Sequence, residues 1–129
     1  MCGIFGVAVN KTNNALNQEF EKILNDLFIF SESRGKEASG VAFKDDNGIS
    51  VLKSSLSASQ LINSKEFISV KNESLKGSHN GLTAIGHSRL VTNGRASLNA
   101  NNQPVYLGKL VCIHNGIVTN DESIWNDLD

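Results

Sequence analysis

The amino-acid sequence predicts one domain that combines helices with strands, and three observations support this. An apolar run from Ile4 to Val9 follows the second residue and is typical of a strand. Apolar residues from Leu16 to Phe28 then recur at the spacing of one helical face. The turn Asp46-Asn47-Gly48 lies between two further apolar stretches and is typical of an antiparallel hairpin. A chain of 129 residues is long enough for a single domain with a modest core.

Local signals set the expected ends of the helices. Asn17 is the predicted N-cap of the first helix, which places two glutamates in the first turn and an end around residues 31–33. A second, weakly periodic helix is predicted over Ser57–Val70, followed by a polar loop over 71–81. Thr119 and Glu122 form the predicted capping box of a last helix.

The remaining strands are predicted where apolar residues run without a helical period. The expected ranges are 41–43, 49–52, 82–90 and 109–113. We expect the strand over 109–113 to be buried. Cys112 lies inside it and is therefore predicted to be an inert core residue.

Charge and composition exclude several classes of function. A net charge of −1 and a pI near 6.3 give no electrostatic basis for binding nucleic acid or an anionic membrane. No apolar run reaches the length of a membrane span, and no basic region precedes the first apolar run as it would in a signal peptide. Two cysteines, Cys2 and Cys112, are too few for a disulfide framework, so we expect a reduced, cytoplasmic protein. His79, His87 and His114 lack metal-ligand spacing, so no metal site is predicted, and the last two are expected to hold loops by hydrogen bonds.

Cys2 directly follows the initiator methionine. Removal of Met1 would leave a thiol and a free α-amine on the same residue. An α-amine has an ordinary pKa of about 7.7–8.0, so part of it is neutral in the cell and can accept a proton. Nucleophile and general base would then be one residue. The alternative, an ordinary strand start with an incidental cysteine, is open on this evidence alone.

Two polar stretches follow predicted strands. The side-chain amide of Asn115 and the N–H of Gly116 are two donors of the kind that stabilise a developing oxyanion, although Asn-Gly pairs also form hairpin turns. Arg89 ends the strand over 82–90 and is followed by the hydroxyl of Thr92. An arginine fork there is suited to clamp a carboxylate, while a surface ion pair is the simpler alternative.

Four short motifs occur in order along nearly the whole chain. They are Cys2-Gly3-Ile4-Phe5-Gly6, Arg34-Gly35 with Ser39-Gly40, Gly86-His87-Ser88-Arg89 with Thr92 and Gly94, and His114-Asn115-Gly116-Ile117. The set resembles the glutaminase domain of the class II glutamine amidotransferases, N-terminal nucleophile hydrolases that include glucosamine-6-phosphate synthase and asparagine synthetase. The resemblance implies an α+β fold, the four-layer αββα sandwich with mainly antiparallel sheets. It also implies that residues 1–129 are one glutaminase domain, incomplete at its C-terminus.

The resemblance implies a reaction as well. Cys2, once Met1 is removed, would attack the side-chain amide of L-glutamine to form a glutamyl thioester and release ammonia, and water would then release glutamate. Asn115 and the Gly116 N–H match the oxyanion hole of the family. No metal or organic cofactor is needed for this step. The implied partner is an ammonia-accepting synthase domain or subunit.

The remaining implied site residues concern the substrate. Arg89, with Thr92 nearby, matches the clamp on the glutamine α-carboxylate, and Asn93 lies in the segment that closes over glutamine in the family. Arg34 and Gly35 match the loop that packs against the nucleophile.

The chain also departs from the family pattern. Leu90 and Asn93 stand where the sugar-phosphate branch usually has Trp and His, and the family's acidic residue for the glutamine α-amine is expected beyond Asp129. The presence of Met1 leaves Cys2 without a free amine. Two rival functions therefore stay open. One is a catalytically silent binding or regulatory module that retains the fold, and the other is an N-terminal nucleophile hydrolase of another amide.

Overall fold

The computed structural model describes residues 1–10, 13–91 and 94–128. In chain order the elements are β1 (Gly3–Asn10), α1 (Asn14–Glu32), β2 (Ala38–Asp45), β3 (Gly48–Ser54), α2 (Ala58–Leu61), α3 (Lys65–Lys76), β4 (Gly81–Arg89), a 3-10 turn (Asn99–Asn101), β5 (Val105–Leu107), β6 (Leu110–Cys112) and α4 (Asp121–Leu128). Strands β1, β4, β2 and β3 form a four-stranded antiparallel sheet in that spatial order, and β5 and β6 form a separate antiparallel pair.

The hydrophobic core lies between one face of the large sheet and the helices α1, α2 and α3. Phe28 of α1 is fully buried, with its ring centroid 4.7 Å from that of Phe5 and 5.5 Å from that of Phe67, both in edge-on geometry. Such aromatic pairs add about 0.5–1.5 kcal/mol each beyond the area they bury. Because Phe5 belongs to β1, these contacts fix the strand that carries Cys2 at its start.

β1 is an edge strand with only one face on the core, whereas its apolar run is typical of a buried strand. Its alternate residues Phe5, Val7 and Val9 pack against the core, while Ile4 is 51% exposed on the other face. β1 pairs with β4 from Gly3 opposite Ser88 to Asn10 opposite Gly81. The start of β1 therefore lies beside the end of β4.

The first helix begins earlier than the Asn17 cap predicts. α1 has Asn13 as its N-cap, whose side chain accepts a hydrogen bond of 2.9 Å from the Leu16 N–H. Asn17 is already helical and its N–H donates to the Asn13 carbonyl at 2.8 Å. The predicted N-cap is wrong for this reason, and the first turn of α1 holds no acidic residue.

The second helical stretch is two helices, because Ser64 interrupts it. Ser64 caps α3 by accepting a hydrogen bond of 3.1 Å from the Phe67 N–H. The predicted loop over 71–81 is wrong up to Lys76, since Lys71 and Ser74 continue the buried face of α3. The Lys71 ammonium also pairs with the carboxylate of Glu21 at 2.7 Å, which ties α3 to α1.

The C-terminal third differs most from prediction. The strand predicted over 109–113 is a short, largely exposed strand, β6, whose sheet partner is β5. Cys112 is exposed and free, so its assignment to the core is wrong. α4 begins at Asp121, one residue later than a capping box with Thr119 as N-cap would require, and its apolar side chains are exposed.

The mixed helix and strand content and the antiparallel sheets agree with the predicted fold class, as part of an N-terminal nucleophile hydrolase fold. Across the described residues, no helix combines the length and apolar character needed to cross a membrane.

Candidate active site

One pocket of about 460 Å³ brings together side chains from three parts of the chain. Cys2 immediately precedes β1, Arg89 ends β4, and Asn115 and Gly116 lie in the segment after β6. These four are predicted site residues, and the fold places them around one cavity although they are far apart in sequence. Thr92 and Asn93, also predicted, lie outside the described residues.

The Cys2 sulfur is held against the chain that leaves β4. The Leu90 N–H donates to the Cys2 Sγ at 3.4 Å, and the thiol donates to the Leu90 carbonyl oxygen at 3.6 Å. Cys2 is half-buried and free of disulfide bonding. The thiol is therefore fixed in position and still open to the pocket.

Asn115 contacts the backbone of Cys2 through both atoms of its side-chain amide. Its Nδ2 donates to the Cys2 carbonyl oxygen at 3.0 Å, and its Oδ1 accepts from the Cys2 N–H at 3.1 Å. The two residues are 113 positions apart in the sequence, so this is a tertiary contact and not a local turn. Since Nδ2 carries two hydrogens, a second N–H is left to donate to another acceptor.

Gly116 follows in the same segment and is exposed. A Cβ at this position would lie 2.8 Å from Nε2 of His114, so a larger residue would displace the imidazole ring. Glycine therefore lets the His114 ring pack directly against the backbone of residue 116.

Arg89 is buried, with only 8% of its surface exposed, so it is not the surface residue that the simpler alternative assumes. Its Nη1 donates to Oδ1 of Asn102 at 2.7 Å, and Nδ2 of Asn102 donates to the Ala96 carbonyl at 2.7 Å. An amide is neutral, so this contact orients the guanidinium without cancelling its charge. The charge is thus held at the wall of the pocket.

Gly35 lies outside the pocket but packs against the backbone of Arg89 and Leu90, two residues that line it. A Cβ at Gly35 would lie 2.2 Å from the Arg89 carbonyl carbon and 2.3 Å from the Leu90 nitrogen. The Glu37 N–H also donates to the Arg89 carbonyl at 3.2 Å. Only a residue without a side chain lets this loop approach the peptide that positions the Cys2 sulfur. Arg34 is exposed and lines an adjacent groove with Cys2.

His87 lines the pocket and is only 1% exposed, although the sequence predicts for it only a loop-holding hydrogen bond. Within the described parts of the chain, neither ring nitrogen has a hydrogen-bond partner, so its expected loop-holding bond is wrong. Burial, assisted by the positive charge of Arg89, lowers the pKa of His87 from 6.5 to about 4. The period of two along β4 could have found this residue, because it puts His87 on the same sheet face as Arg89.

The segment before Pro104 supplies two further polar contacts that the sequence does not predict. Asn102 holds Arg89, as above, and Gln103 lines the pocket and hydrogen-bonds to the backbone of His114. Asparagine and glutamine in a polar loop carry no distinctive signal, so nothing in the sequence marks them. Over the described ranges, no cluster of three or more histidine, cysteine or acidic side chains is arranged to hold a metal ion.

No model of a known protein family matches the chain, but several glutamine–fructose-6-phosphate aminotransferases are similar to it. The chain is 28% identical over 129 residues, 99% of its length, to the glutamine–fructose-6-phosphate aminotransferase of Sulfolobus acidocaldarius. It is 32% identical over 122 residues, 93% of its length, to the enzyme of the same name from Streptococcus agalactiae serotype III. The corresponding values for the Oceanobacillus iheyensis enzyme are 30% over 129 residues and 98%.

The chain spans about a fifth of the length of these relatives, from 17% to 20%. The similarity therefore covers nearly all of this chain but a small part of each enzyme. Over that part the chain is a homologue of glutamine-dependent aminotransferases that have a class II glutamine amidotransferase domain, the family that its four motifs resemble.

Proposed function

We propose that the chain is the glutaminase part of a glutamine-dependent aminotransferase and that Cys2, after removal of Met1, is its nucleophile. The observation that carries the proposal is the meeting of Cys2, Asn115 and Arg89 at one pocket. A thiol, an amide donor and a buried cation are the three groups needed to attack a glutamine side chain, stabilise the oxyanion and hold the α-carboxylate.

The reaction begins with proton transfer from the Cys2 thiol to its own α-amine. The sulfur adds to the side-chain carbonyl carbon of glutamine, and the carbonyl oxygen becomes an oxyanion. The free N–H of Asn115 Nδ2 and the backbone N–H of Gly116 are the proposed donors to it. Collapse of this intermediate breaks the C–N bond, and the α-ammonium of Cys2 returns its proton to the leaving nitrogen, which departs as ammonia. Water then adds to the thioester with the amine as base, and glutamate and the free thiol are regenerated.

Met1 prevents this sequence for a chemical reason. While Met1 is attached, the Cys2 nitrogen is a peptide nitrogen, which has no lone pair available to take up a proton. Its N–H donates to Oδ1 of Asn115 at 3.1 Å. A free amine at the same position would keep that bond, so Asn115 would orient the general base as well as donate to the oxyanion. Met1 also lines the pocket, so its removal would widen access to the sulfur.

Arg89 is the proposed carboxylate clamp. The contact with Asn102 fixes one edge of its guanidinium, and a fixed fork loses little freedom when it binds a carboxylate. Thr92 and Asn93 complete this clamp in the proposal, and Gly35 and Arg34 support it from the neighbouring loop. The ammonia would pass to an acceptor on another domain or subunit, and no cofactor is proposed for the glutaminase step.

The test compares the chain as given with a chain cleaved from a fusion so that Cys2 is the first residue. Glutamate release from L-glutamine is expected only from the cleaved form. It should be abolished by Cys2→Ala and retained in the matched control Cys112→Ser, because Cys112 lies outside the pocket. Equal release with and without Met1 would refute the role of the α-amine. Glutamine binding without any release would favour the catalytically silent module.

A further inference from the structure

Asn115 lies in a segment that the sheets do not hold. β6 ends at Cys112, and residues 113–115 have no regular secondary structure. β6 itself pairs with β5, both of which are largely exposed. Accurate placement of Asn115 against Cys2 therefore requires some other contact.

Gln103 provides that contact. Its Nε2 donates to the His114 carbonyl oxygen at 2.8 Å, and its Oε1 accepts from the His114 N–H at 2.5 Å. The glutamine amide thus pairs with both backbone groups of the residue before Asn115. The next residue repeats the pattern, because the Asn115 amide pairs with both backbone groups of Cys2.

Gln103 is itself anchored to the large sheet. A Cβ at Gly40 of β2 would lie 2.2 Å from the Gln103 carbonyl oxygen and 3.1 Å from Cδ of Pro104, so this backbone rests directly on the strand. Pro104 is fully buried. A continuous set of contacts therefore runs from β2 through Gln103 to His114, Asn115 and the nucleophile.

We infer that Gln103 is a positioning residue that holds Asn115 at Cys2 for oxyanion stabilisation. The inference rests on the proposed function for its kinetic consequence, but the placement of Asn115 can be measured without activity. The adjacent residue, Asn102, holds Arg89 instead. The two neighbouring residues thus have different effects: Gln103 acts on stabilisation of the transition state, and Asn102 acts on substrate binding.

The kinetic test uses Gln103→Met, which keeps the length of the side chain and removes both hydrogen bonds, in the chain that begins at Cys2. We expect kcat to fall by about 10- to 100-fold, less than loss of the donor itself, with KM nearly unchanged. Asn102→Ala should do the reverse and raise KM. Gln18→Met on the exposed surface of α1 is the matched control and should change neither constant. Because Gln103 acts through Asn115, Gln103→Met should cause no further loss in an Asn115→Ala background.

The structural test follows the side-chain amide signals of Asn115 by NMR after asparagine-selective ¹⁵N labelling, with Asn115→Asp to assign them. We expect Gln103→Met to shift these signals and speed their hydrogen exchange, and Asn102→Ala to leave them in place. Gln103→Glu keeps the acceptor for the His114 N–H and should give a smaller change, which decides the question if the methionine variant does not fold. Unchanged Asn115 signals, or an equal loss of kcat with and without Asn115, would overturn the inference. Absence of activity in the parent chain would refute the proposed function alone.

Discussion

Gly35→Ala is the change whose effect can be worked most directly from the structure. The added methyl carbon would lie 2.2 Å from the Arg89 carbonyl carbon, 2.3 Å from the Leu90 nitrogen and 2.4 Å from the Arg89 oxygen. All three are backbone atoms, so no side-chain rotation relieves the contact, and the chain must move by about 1 Å to reach an ordinary separation. Forcing extra volume into a packed region costs about 1–3 kcal/mol. At about 4 °C per kcal/mol for a chain of this size, Tm should fall by about 4–12 °C.

The displaced peptide is the one that contacts the Cys2 sulfur, so reactivity should change as well. Thermal unfolding by circular dichroism gives Tm, and the rate of Cys2 alkylation, read by peptide mass analysis, reports on the site. Gly6→Ala is the matched control. Its methyl group would meet its nearest atoms at 3.5 Å and should cost little. The predicted clash is refuted if Gly35→Ala unfolds at the same Tm as the parent protein, or if Gly6→Ala lowers Tm as much as Gly35→Ala does.

Three further predictions concern individual pocket residues. Asn115→Ala should lower kcat for glutamine hydrolysis by about 10²–10³ with little change in KM, and an unchanged kcat in steady-state assays would remove it from the oxyanion hole. Arg89→Lys should instead raise KM by about 10- to 100-fold, the usual effect of losing a charge-assisted hydrogen bond; an unaltered KM would exclude the carboxylate clamp. His87 has a pKa of about 4 when folded and 6.5 when unfolded. Between these values the unfolded chain binds more protons, so His87 lowers stability as the pH falls, by at most about 3 kcal/mol. In denaturant titrations from pH 7 to 4, His87→Gln should lose less stability than the parent protein, while the control His79→Gln, at an exposed residue, should lose as much as the parent. Equal losses in the parent and both variants would contradict this role of His87.

The parts of the fold that the sequence predicted depend on local signals. The Asn47-Gly48 turn pairs β3 with β2. This turn could be predicted because it needs a positive φ, here 142° at Gly48, and glycine adopts such an angle without help from distant residues. Strand β4 follows from the apolar residues Leu82, Ala84 and Ile85. The capping of helices was less predictable, because Asn13 and Asn17 are the same residue type and only the actual start of α1 distinguishes them.

The parts that could not be predicted depend on contacts between distant residues. The sequence marks Asn115 as a donor, but its pairing with Cys2 joins residues 113 positions apart. Asn102 and Gln103 acquire their roles only when the fold brings Arg89 and His114 beside them. The exposure of Cys112 likewise depends on what covers β6, which the residues around it do not reveal.

The central claim, that Cys2 is the nucleophile of a glutamine site, is tested most directly by covalent labelling of the chain that begins at Cys2. A diazoketone analogue of L-glutamine should alkylate the Cys2 sulfur, and peptide mapping by mass spectrometry identifies the modified residue. Cys112 is exposed and free, so it can react as an ordinary thiol. Protection of a cysteine by excess L-glutamine therefore distinguishes labelling at the glutamine site from simple thiol reactivity. We predict a single label on Cys2 that excess L-glutamine prevents. A label confined to Cys112, or a label on Cys2 that L-glutamine leaves undiminished, would contradict the claim.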